Sequence, residues 1–283
     1  MKNIYIIGVG LIGGSIAKDV KKLNSDIIIH GVDKNETHLE DALSLKIIDH
    51  KATFEDLSQA DLVIVSIPVD ATEALLPEIL DKVSDNTLVI DSGSTKASIC
   101  KAVENHPKRR NFLATHPIAG TEFSGPSAAM EGLFIDKTNI ICEIEKTAFK
   151  LQERALTIFK IMGMHMRYMN PEAHDKHIAY VSHLSHISAF MLGKTVIEKE
   201  KNERDIFDLA GSGFASTVRL AKSSPHMWTP IFKQNKANVI ETLDEYINNL
   251  TKFKGSLAAD NFEDIFNDME NTNHIKDILN GIQ

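Results

Sequence analysis

A short apolar strand followed at once by a glycine-rich turn constrains the fold of this chain more than any other feature. Residues 3–7 form the apolar run, and Gly8, Gly10 and Gly13 follow it in the spacing Gly-x-Gly-x-x-Gly, where a helix is predicted to begin. Asp33 stands twenty residues after Gly13, at the end of the next apolar run. This combination is typical of the first strand–helix–strand unit of a Rossmann-type domain, which binds a dinucleotide.

The glycine turn is predicted to hold a pyrophosphate. Gly8 permits the tight turn, Gly10 lets the backbone approach the pyrophosphate, and Gly13 lets helix and strand pack closely. The helix predicted to start at Ile12, directly after Leu11, adds the backbone N–H groups of its first turn and the positive end of the helix dipole, so we expect Leu11 and Ile12 to contact the cofactor. The alternative, a glycine-rich turn without a ligand, is disfavoured by the combined spacing.

Asp33 is predicted to select the cofactor. Its carboxylate can accept a hydrogen bond from the ribose 2′-hydroxyl of NAD and would repel the 2′-phosphate of NADP, so NAD is favoured. Ser66, Pro68 and Ser92 follow two later predicted strands. Because ligands bind at the carboxyl ends of the strands in an open α/β sheet, we expect these three residues to contact the cofactor as well.

Apolar strands and helices alternate through the first part of the chain, which indicates an α/β fold with a parallel sheet covered on both faces. Beyond about residue 168 only helical periodicity remains. We therefore predict a Rossmann-type NAD-binding domain at residues 1–168 and an all-helical domain at residues 169–283. The predicted strands are 3–7, 27–32, 62–66, 87–91, 112–115 and 138–144, and the predicted helices are 12–23, 36–45, 70–82, 96–105, 148–162, 171–199, 214–224, 229–254 and 261–280.

Composition and charge exclude several classes of protein. The formal net charge of −8 argues against a nucleic-acid partner, because binding of the phosphate backbone requires a basic surface. No apolar stretch is long enough to cross a membrane, and Met1 leads almost directly into the first strand, so neither a membrane anchor nor a signal peptide is expected. Cys100 and Cys142 belong to no paired motif, which favours the reducing environment of the cytoplasm.

His116 is the candidate proton acceptor. It comes directly after the strand predicted at 112–115 and is followed by Pro117 and a glycine-containing loop. His116 is therefore expected at the carboxyl edge of the sheet, where ligands bind. Histidine suits this place because the oxidation of an alcohol releases a proton near neutral pH. From position alone, a loop histidine with a purely structural role is an equal alternative.

Five segments between residues 8 and 228 carry a resemblance to a known family. They are Gly8-x-Gly-x-x-Gly-Gly-Ser15, Asp91-Ser-Gly-Ser-Thr-Lys96, His116-Pro-Ile-Ala-Gly-Thr-Glu122, Val181-Ser-His-Leu-Ser-His186, and Gly211-Ser-Gly-Phe-Ala-Ser-Thr-Val-Arg-Leu-Ala221 with Met227-Trp228. Together they resemble the prephenate dehydrogenases, NAD(P)-dependent enzymes of tyrosine biosynthesis. The resemblance implies oxidative decarboxylation of prephenate to 4-hydroxyphenylpyruvate, with CO2 and NADH as the other products. It also implies a homodimer formed through the helical domain, which would bind the substrate as well.

The resemblance implies roles for single residues. His116 matches the catalytic histidine that bonds the C4 hydroxyl of prephenate, and Ser94 matches a serine of the same hydrogen-bond network. The predicted substrate-binding residues lie in the matching segments, and among them Arg219 corresponds to an arginine that binds a carboxylate. They are His186, Arg219, Thr121, Ser182 and His183.

Three alternatives for the function remain open at this stage. Ala215 and Ser216 stand where some relatives carry a basic residue, which leaves open the choice between prephenate and its amino counterpart arogenate. A dehydrogenase of β-hydroxyacids would use a lysine on the first helix of the helical domain, but Lys176 and Lys194 lie in no matching context. A protein that senses NAD without turnover would need no proton acceptor beside the nicotinamide.

Two further expectations concern what the chain lacks. His174 and His177 share a predicted helix with two of the site histidines, but no carboxylate or cysteine completes a known metal-binding spacing, so no metal is expected. The residues outside the matching segments are too few for an added chorismate mutase or regulatory domain, so neither is expected.

Overall fold

The computed structural model describes residues 1–24, 26–203 and 205–280. The chain forms two compact units, a larger one at Met1–Lys236 and a smaller one at Ala237–Gln283. The division into predicted domains at residues 168 and 169 remains a prediction.

Eight strands form one sheet in the larger unit, in the order β3-β2-β1-β4-β5-β6-β7-β8. They are β1 (Asn3–Ile7), β2 (Ile28–Val32), β3 (His50–Lys51), β4 (Leu62–Val65), β5 (Leu88–Asp91), β6 (Phe112–Pro117), β7 (Thr138–Cys142) and β8 (His165–Met169). Neighbouring strands are parallel except β6 and β7, which are antiparallel. The predicted Rossmann-type α/β fold is confirmed, with this one antiparallel pair as a correction.

Strands β3 and β8 are not among the strands predicted from the sequence. Strand β3 has only two residues, and both are exposed. Strand β8 lies at an edge of the sheet, and its five residues are exposed or half-buried. Neither strand therefore shows the apolar run by which the buried strands were predicted.

Alternate residues of β1 lie in two separate hydrophobic cores. Ile4 and Ile6 pack in the core on one face of the sheet, and Tyr5 and Ile7 pack in the core on the other face. All four are at most 2% exposed. Because successive side chains of a strand point to opposite faces, a strand that is apolar throughout requires cover on both sides.

Twelve α-helices are described. They are α1 (Leu11–Lys21), α2 (Glu36–Ser44), α3 (Val69–Lys82), α4 (Ala97–Ala102), α5 (Phe149–Ile161), α6 (Pro171–Ile178), α7 (Leu184–Glu200), α8 (Ser212–Thr217), α9 (Pro225–Gln234), α10 (Lys236–Ala258), α11 (Phe262–Thr272) and α12 (Ile275–Asn280). A π-helical turn at Ala179–His183 joins α6 to α7, so the helix predicted at 171–199 is one run with a widened turn.

The helix predicted at 229–254 is wrong in its start and in its continuity. Helix α9 begins at Pro225, which is suited to the first turn because proline lacks the N–H that is unpaired there. The α-helical hydrogen bonding stops at Asn235, and α10 starts one residue later. Periodicity alone does not reveal such a one-residue break.

The smaller unit is helical and exposes many large apolar side chains. On α10 these include Ile247, Leu250 and Phe253, and on α11 they include Phe262 and Phe266. An apolar surface of this kind is typical of a protein interface. In the described part of the chain, no helix combines the length and the low polarity that a membrane crossing requires.

Candidate active site

The glycine turn after β1 lies where the strand order reverses. Strand β1 pairs with β2 on one side and with β4 on the other, so the chain leaves β1 at the switch point of the sheet. A Cβ atom built on Gly8 would lie 2.4 Å from the carbonyl oxygen of Ser66, which follows β4. Ligands of open α/β sheets bind in the crevice at this point.

The conformation of the turn fits a pyrophosphate. Gly8 has φ +91°, which glycine adopts readily, and a Cβ atom on Gly13 would lie 2.0 Å from the Gly8 carbonyl oxygen. A Cβ atom on Gly10 would meet nothing within 4 Å, so the backbone there faces open space. Helix α1 starts at Leu11 without a side-chain cap, which leaves the N–H groups of its first turn for an anion.

Asp33 lies beside this turn at the end of β2. Its Oδ2 accepts a hydrogen bond from the Val9 N–H at 3.1 Å, and its Oδ1 accepts one from the Asn35 N–H at 2.9 Å. The side chain is 12% exposed. Asp33 therefore shapes the glycine turn itself, in addition to its predicted contact with a ribose hydroxyl.

Ser66 and Ser92 meet at the same edge of the sheet. The Ser92 hydroxyl donates a hydrogen bond to the Ser66 hydroxyl at 2.9 Å, and Pro68 lies directly before α3. These three predicted cofactor residues therefore lie at the carboxyl ends of β4 and β5, next to the glycine turn. The residues present fit a dinucleotide.

A buried ion pair that the sequence analysis missed supports the next loop. Lys96 and Asp91 are both 0% exposed and form a salt bridge. The Asp91 carboxylate also accepts hydrogen bonds from the N–H groups of Gly93 and Thr115, each at 3.0 Å. Because Thr115 precedes His116, this pair fixes the backbone that presents the histidine. The opposite charges of Asp91 and Lys96, at the two ends of one short motif, were the sequence feature from which this ion pair could have been predicted.

His116 lies near the end of β6 and is buried. Its Nδ1 atom is 2.8 Å from Nε2 of His174 on α6, and the Nδ1 atom of His174 is 2.8 Å from Oδ1 of Asp175. Burial lowers the pKa of His116 well below its ordinary value, and His174 and Lys96 lower that pKa further. His116 is therefore neutral at pH 7, as a proton acceptor must be.

Ser94 lies half-buried in the turn between β5 and α4. In the residues that the structure describes, the hydrogen-bond partner of His116 is His174 and not Ser94. The role of Ser94 in the same network remains a prediction.

His186 and Arg219 are brought close together in the helical part. The imidazole of His186 stacks on Trp228 with the ring centres 3.7 Å apart, and its Nδ1 lies 2.9 Å from the Ser182 carbonyl oxygen. Burial lowers the pKa of His186, and the nearby charge of Arg219 lowers that pKa in addition.

Arg219 connects the helical part to the loop after His116. Its Nη1 atom is 3.1 Å from Oε2 of Glu122, which lies six residues after His116, and 51% of the arginine side chain is exposed. Thr121 is exposed beside Glu122, and its hydroxyl accepts a hydrogen bond from the Phe123 N–H at 3.3 Å. One loop thus carries the histidine at one end and the partner of the arginine at the other.

His183 differs from the other predicted substrate residues because it is fully buried. Its ring contacts Trp228 edge-on, and its Nδ1 lies 3.2 Å from Nδ2 of Asn235. Burial lowers the pKa of His183 to about 4, so the ring is neutral at pH 7. The structure therefore gives His183 a place behind Trp228 and no surface toward a ligand.

Two family models match the chain. The model of the prephenate dehydrogenase nucleotide-binding domain matches residues 16–168, and the model of the prephenate dehydrogenase dimerization domain matches residues 170–271. The first match starts after the glycine turn and includes Asp33 and His116, and the second includes His186 and Arg219.

Similar proteins include two enzymes and one solved structure. The prephenate dehydrogenase of Bacillus subtilis is 32% identical over 93% of this chain and 72% of that protein. The cyclohexadienyl dehydrogenase of Zymomonas mobilis is 30% identical over 91% of this chain and 89% of that protein. The prephenate dehydrogenase of Aquifex aeolicus, solved with hydroxyphenyl propionate and NAD+, is 31% identical and superposes with a TM-score of 0.90 over 99% of this chain and 98% of that one.

Proposed function

Because the chain belongs to the prephenate dehydrogenase family, we propose that it catalyses the NAD-dependent oxidative decarboxylation of prephenate to 4-hydroxyphenylpyruvate. The observation that carries this proposal is the buried, neutral His116 near the end of β6, followed by the loop in which Glu122 pairs with Arg219. The site offers His116 as an acceptor for the hydroxyl proton and Arg219 as a cation for a carboxylate. Oxidation and binding of prephenate require both groups.

The cofactor-binding residues are proposed from the fit of the turn. Gly8, Gly10 and Gly13, with the N–H groups of Leu11 and Ile12, would hold the pyrophosphate of NAD. Asp33 would accept from the ribose, and Ser66, Pro68 and Ser92 would line the path toward the nicotinamide. When bound, NAD supplies the acceptor for the hydride from C4 of the substrate.

His116 would manage the proton of the C4 hydroxyl. The Nε2 atom takes this proton as the hydride leaves C4, which gives a dienone. The C1–carboxylate bond then breaks, CO2 leaves, and the electron pair of that bond makes the ring aromatic. His116 returns the proton to the phenolate oxygen, so atoms and charges balance. Ser94 would add a hydrogen bond to the same oxygen.

The substrate carboxylates would be held from the helical part. Arg219 offers a guanidinium that can bind a carboxylate with two hydrogen bonds. His186 and Thr121 would add polar contacts to the substrate, and Ser182 holds His186 in orientation through its carbonyl oxygen. His183 supports this group from behind Trp228.

The test of the proposed function is the formation of NADH by the purified protein with prephenate and, in parallel, with arogenate. We expect NADH with prephenate, at a higher kcat/KM than with arogenate. Faster turnover of arogenate would identify arogenate, and not prephenate, as the preferred substrate. NAD binding without NADH from either acid would favour the alternative of a sensing protein and overturn the proposal.

Replacing Asp33 by serine should weaken NAD binding and relax the exclusion of NADP. A charged acceptor of a hydrogen bond contributes about 1.5–3 kcal/mol, so KM for NAD should rise about tenfold or more. Steady-state kinetics with both cofactors measures the change, and Asp41→Ser on the exposed face of α2 is the control. Equal use of NAD and NADP by the unaltered protein would contradict the role of Asp33.

The protein should be a homodimer in which the smaller unit takes part. Sedimentation equilibrium at micromolar concentration should give twice the mass of 31.4 kDa, because exposed apolar side chains such as Leu250 require a partner. Leu250→Asp should shift the protein toward the monomer, and Asn249→Asp, the exposed neighbour on α10, should not. A monomeric unaltered protein would contradict the prediction.

We also propose that the protein acts in the cytoplasm. Cys100 and Cys142 are both free and buried, and burial raises the pKa of both thiols above the ordinary value, that of Cys142 to about 12. Free thiols are typical of a reducing compartment. Detection of the protein in a membrane-free, non-secreted cell fraction tests this proposal.

A further inference from the structure

We propose that His174 and Asp175 are positioning residues that hold His116 in the tautomer with Nε2 unprotonated, and thereby make it a proton acceptor. The observation is an unbroken row of hydrogen bonds from the Asp175 carboxylate through both rings of His174 and His116. The inference rests on the proposed function only in that His116 is the group that takes the proton.

The Asp175 carboxylate sets the direction of the row because an ionised carboxylate only accepts hydrogen bonds. Its Oδ1 accepts from the Lys96 N–H at 2.7 Å, and its Oδ2 accepts from the Ala97 N–H at 2.9 Å. The same Oδ1 lies 2.8 Å from Nδ1 of His174. The hydrogen between them therefore belongs to His174.

The position of the hydrogen on His174 then determines which ring nitrogen of His116 carries a hydrogen. A neutral imidazole carries one hydrogen, so His174 with its hydrogen on Nδ1 has a lone pair on Nε2. This Nε2 lies 2.8 Å from Nδ1 of His116, which must therefore be the donor. His116 keeps its hydrogen on Nδ1, and its Nε2 is left as the basic atom toward the substrate.

The opposite arrangement would disable the site. If His174 carried its hydrogen on Nε2, it would donate to Nδ1 of His116 and leave its own Nδ1 lone pair against the carboxylate. His116 would then carry its hydrogen on Nε2 and could not accept another in its neutral form. The same row also places the negative charge of Asp175 where it stabilises the imidazolium that forms during turnover, by the logic of a carboxylate–histidine pair.

The side chains of the row are buried and hydrogen-bonded between α4 and α6. The side chains of His174 and Asp175 are 2% and 6% exposed. Asn170 begins α6 with a side-chain cap on the Ala173 N–H at 2.7 Å, so both residues lie in the first turns of a capped helix. Asp175 in turn binds the start of α4, directly after the buried Lys96.

The direct test is the tautomer of His116 in the unaltered protein. Spectra of the protein labelled with 15N-histidine, recorded at neutral pH, report which ring nitrogen carries the hydrogen, and the His116→Asn variant identifies the signal. We expect the hydrogen on Nδ1. A hydrogen on Nε2 would overturn the proposal whether or not the protein turns over prephenate, which separates this inference from the proposed function.

Kinetics of variants provide the second test. His174→Leu removes the atom that accepts the hydrogen bond from His116. Asp175→Asn replaces a carboxylate, which only accepts hydrogen bonds, by an amide that can also donate, so the hydrogen is no longer held on Nδ1 of His174. Each should lower kcat by at least about tenfold, by analogy with the loss found when the partner that orients a metal-bound histidine is removed, with KM for prephenate little changed. His174→Gln retains an acceptor oxygen and should recover part of kcat.

The exposed His177→Gln on the same helix is the matched control and should leave kcat unchanged. Circular dichroism and the Kd of NAD show whether each variant is folded. A folded His174→Leu variant with unchanged kcat would overturn the proposal. If this variant does not fold, the recovery with His174→Gln and the tautomer measurement decide the question.

Discussion

Replacing His116 by asparagine should lower kcat for prephenate about 10²- to 10⁴-fold, the usual effect of losing a general base, with little change in KM. Asparagine has a similar size and can hydrogen-bond the C4 hydroxyl, but it cannot take the proton. Steady-state kinetics at pH 7 measures both constants. The exposed His165→Asn on β8 is the control, because it removes a histidine from the sheet edge without touching the site.

The dependence of the same reaction on pH tests the protonation state of His116. Burial holds the pKa of His116 well below its ordinary value of 6.5. A proton acceptor works in its neutral form, so activity is present above this pKa and is lost as the pH falls through it. The kcat/KM of the unaltered protein should therefore stay level down to pH 6.5 and fall only below that. A His116→Asn variant with near-normal kcat would remove His116 from this role.

Replacing Arg219 by alanine should raise KM for prephenate about 30-fold or more and leave the Kd of NAD unchanged. Loss of one partner of a buried hydrogen-bonded charge pair costs about 2–5 kcal/mol. The lower end of that range applies to a half-exposed arginine, and about 2 kcal/mol corresponds to roughly 30-fold in affinity. Without substrate, the arginine is paired with Glu122 and is half exposed, so the guanidinium is accessible to a carboxylate. Arg219→Lys should restore only part of the affinity, because an ammonium group lacks the planar fork.

The pairing with Glu122 requires a second variant, because removing Arg219 also leaves a carboxylate that repels the substrate. The double variant Arg219→Ala/Glu122→Gln removes this repulsion. If Arg219 binds the substrate itself, KM stays high in the double variant; if it only neutralises Glu122, KM returns to normal. Arg167→Ala, at an exposed position on β8, controls for the loss of a positive charge. An unchanged KM in Arg219→Ala would show that Arg219 is a solvent-exposed side chain that does not contribute to substrate binding.

The parts of the fold that the sequence predicts best are those fixed by local patterns. The unit of β1, α1 and β2 is predicted within a few residues because an apolar run, three glycines and Asp33 act over about thirty residues. Strand β8 is missed because an edge strand buries little apolar surface. The antiparallel pairing of β6 with β7 is missed because periodicity gives the presence of a strand and not its direction.

In the candidate site, too, the residues within short sequence motifs were predicted, and the contacts between residues distant in the sequence were not. His116 and the glycine turn are found from short motifs, whereas the row of His116, His174 and Asp175 joins elements 58 residues and more apart. Composition and spacing carry no direct sign of such contacts. One signal was available, since His174 lies four residues before the buried Ile178 and therefore on the inner face of α6.

The most direct test of the proposed function measures NADH, CO2 and 4-hydroxyphenylpyruvate in one reaction of the purified protein with prephenate and NAD. We expect all three products to form in equal amounts, and we expect His116→Asn to lower all three rates together. NADH formed without CO2 would show an ordinary dehydrogenase, and CO2 formed without NADH would show a decarboxylation that involves no hydride transfer. Either result, or the absence of all three products, would contradict the account.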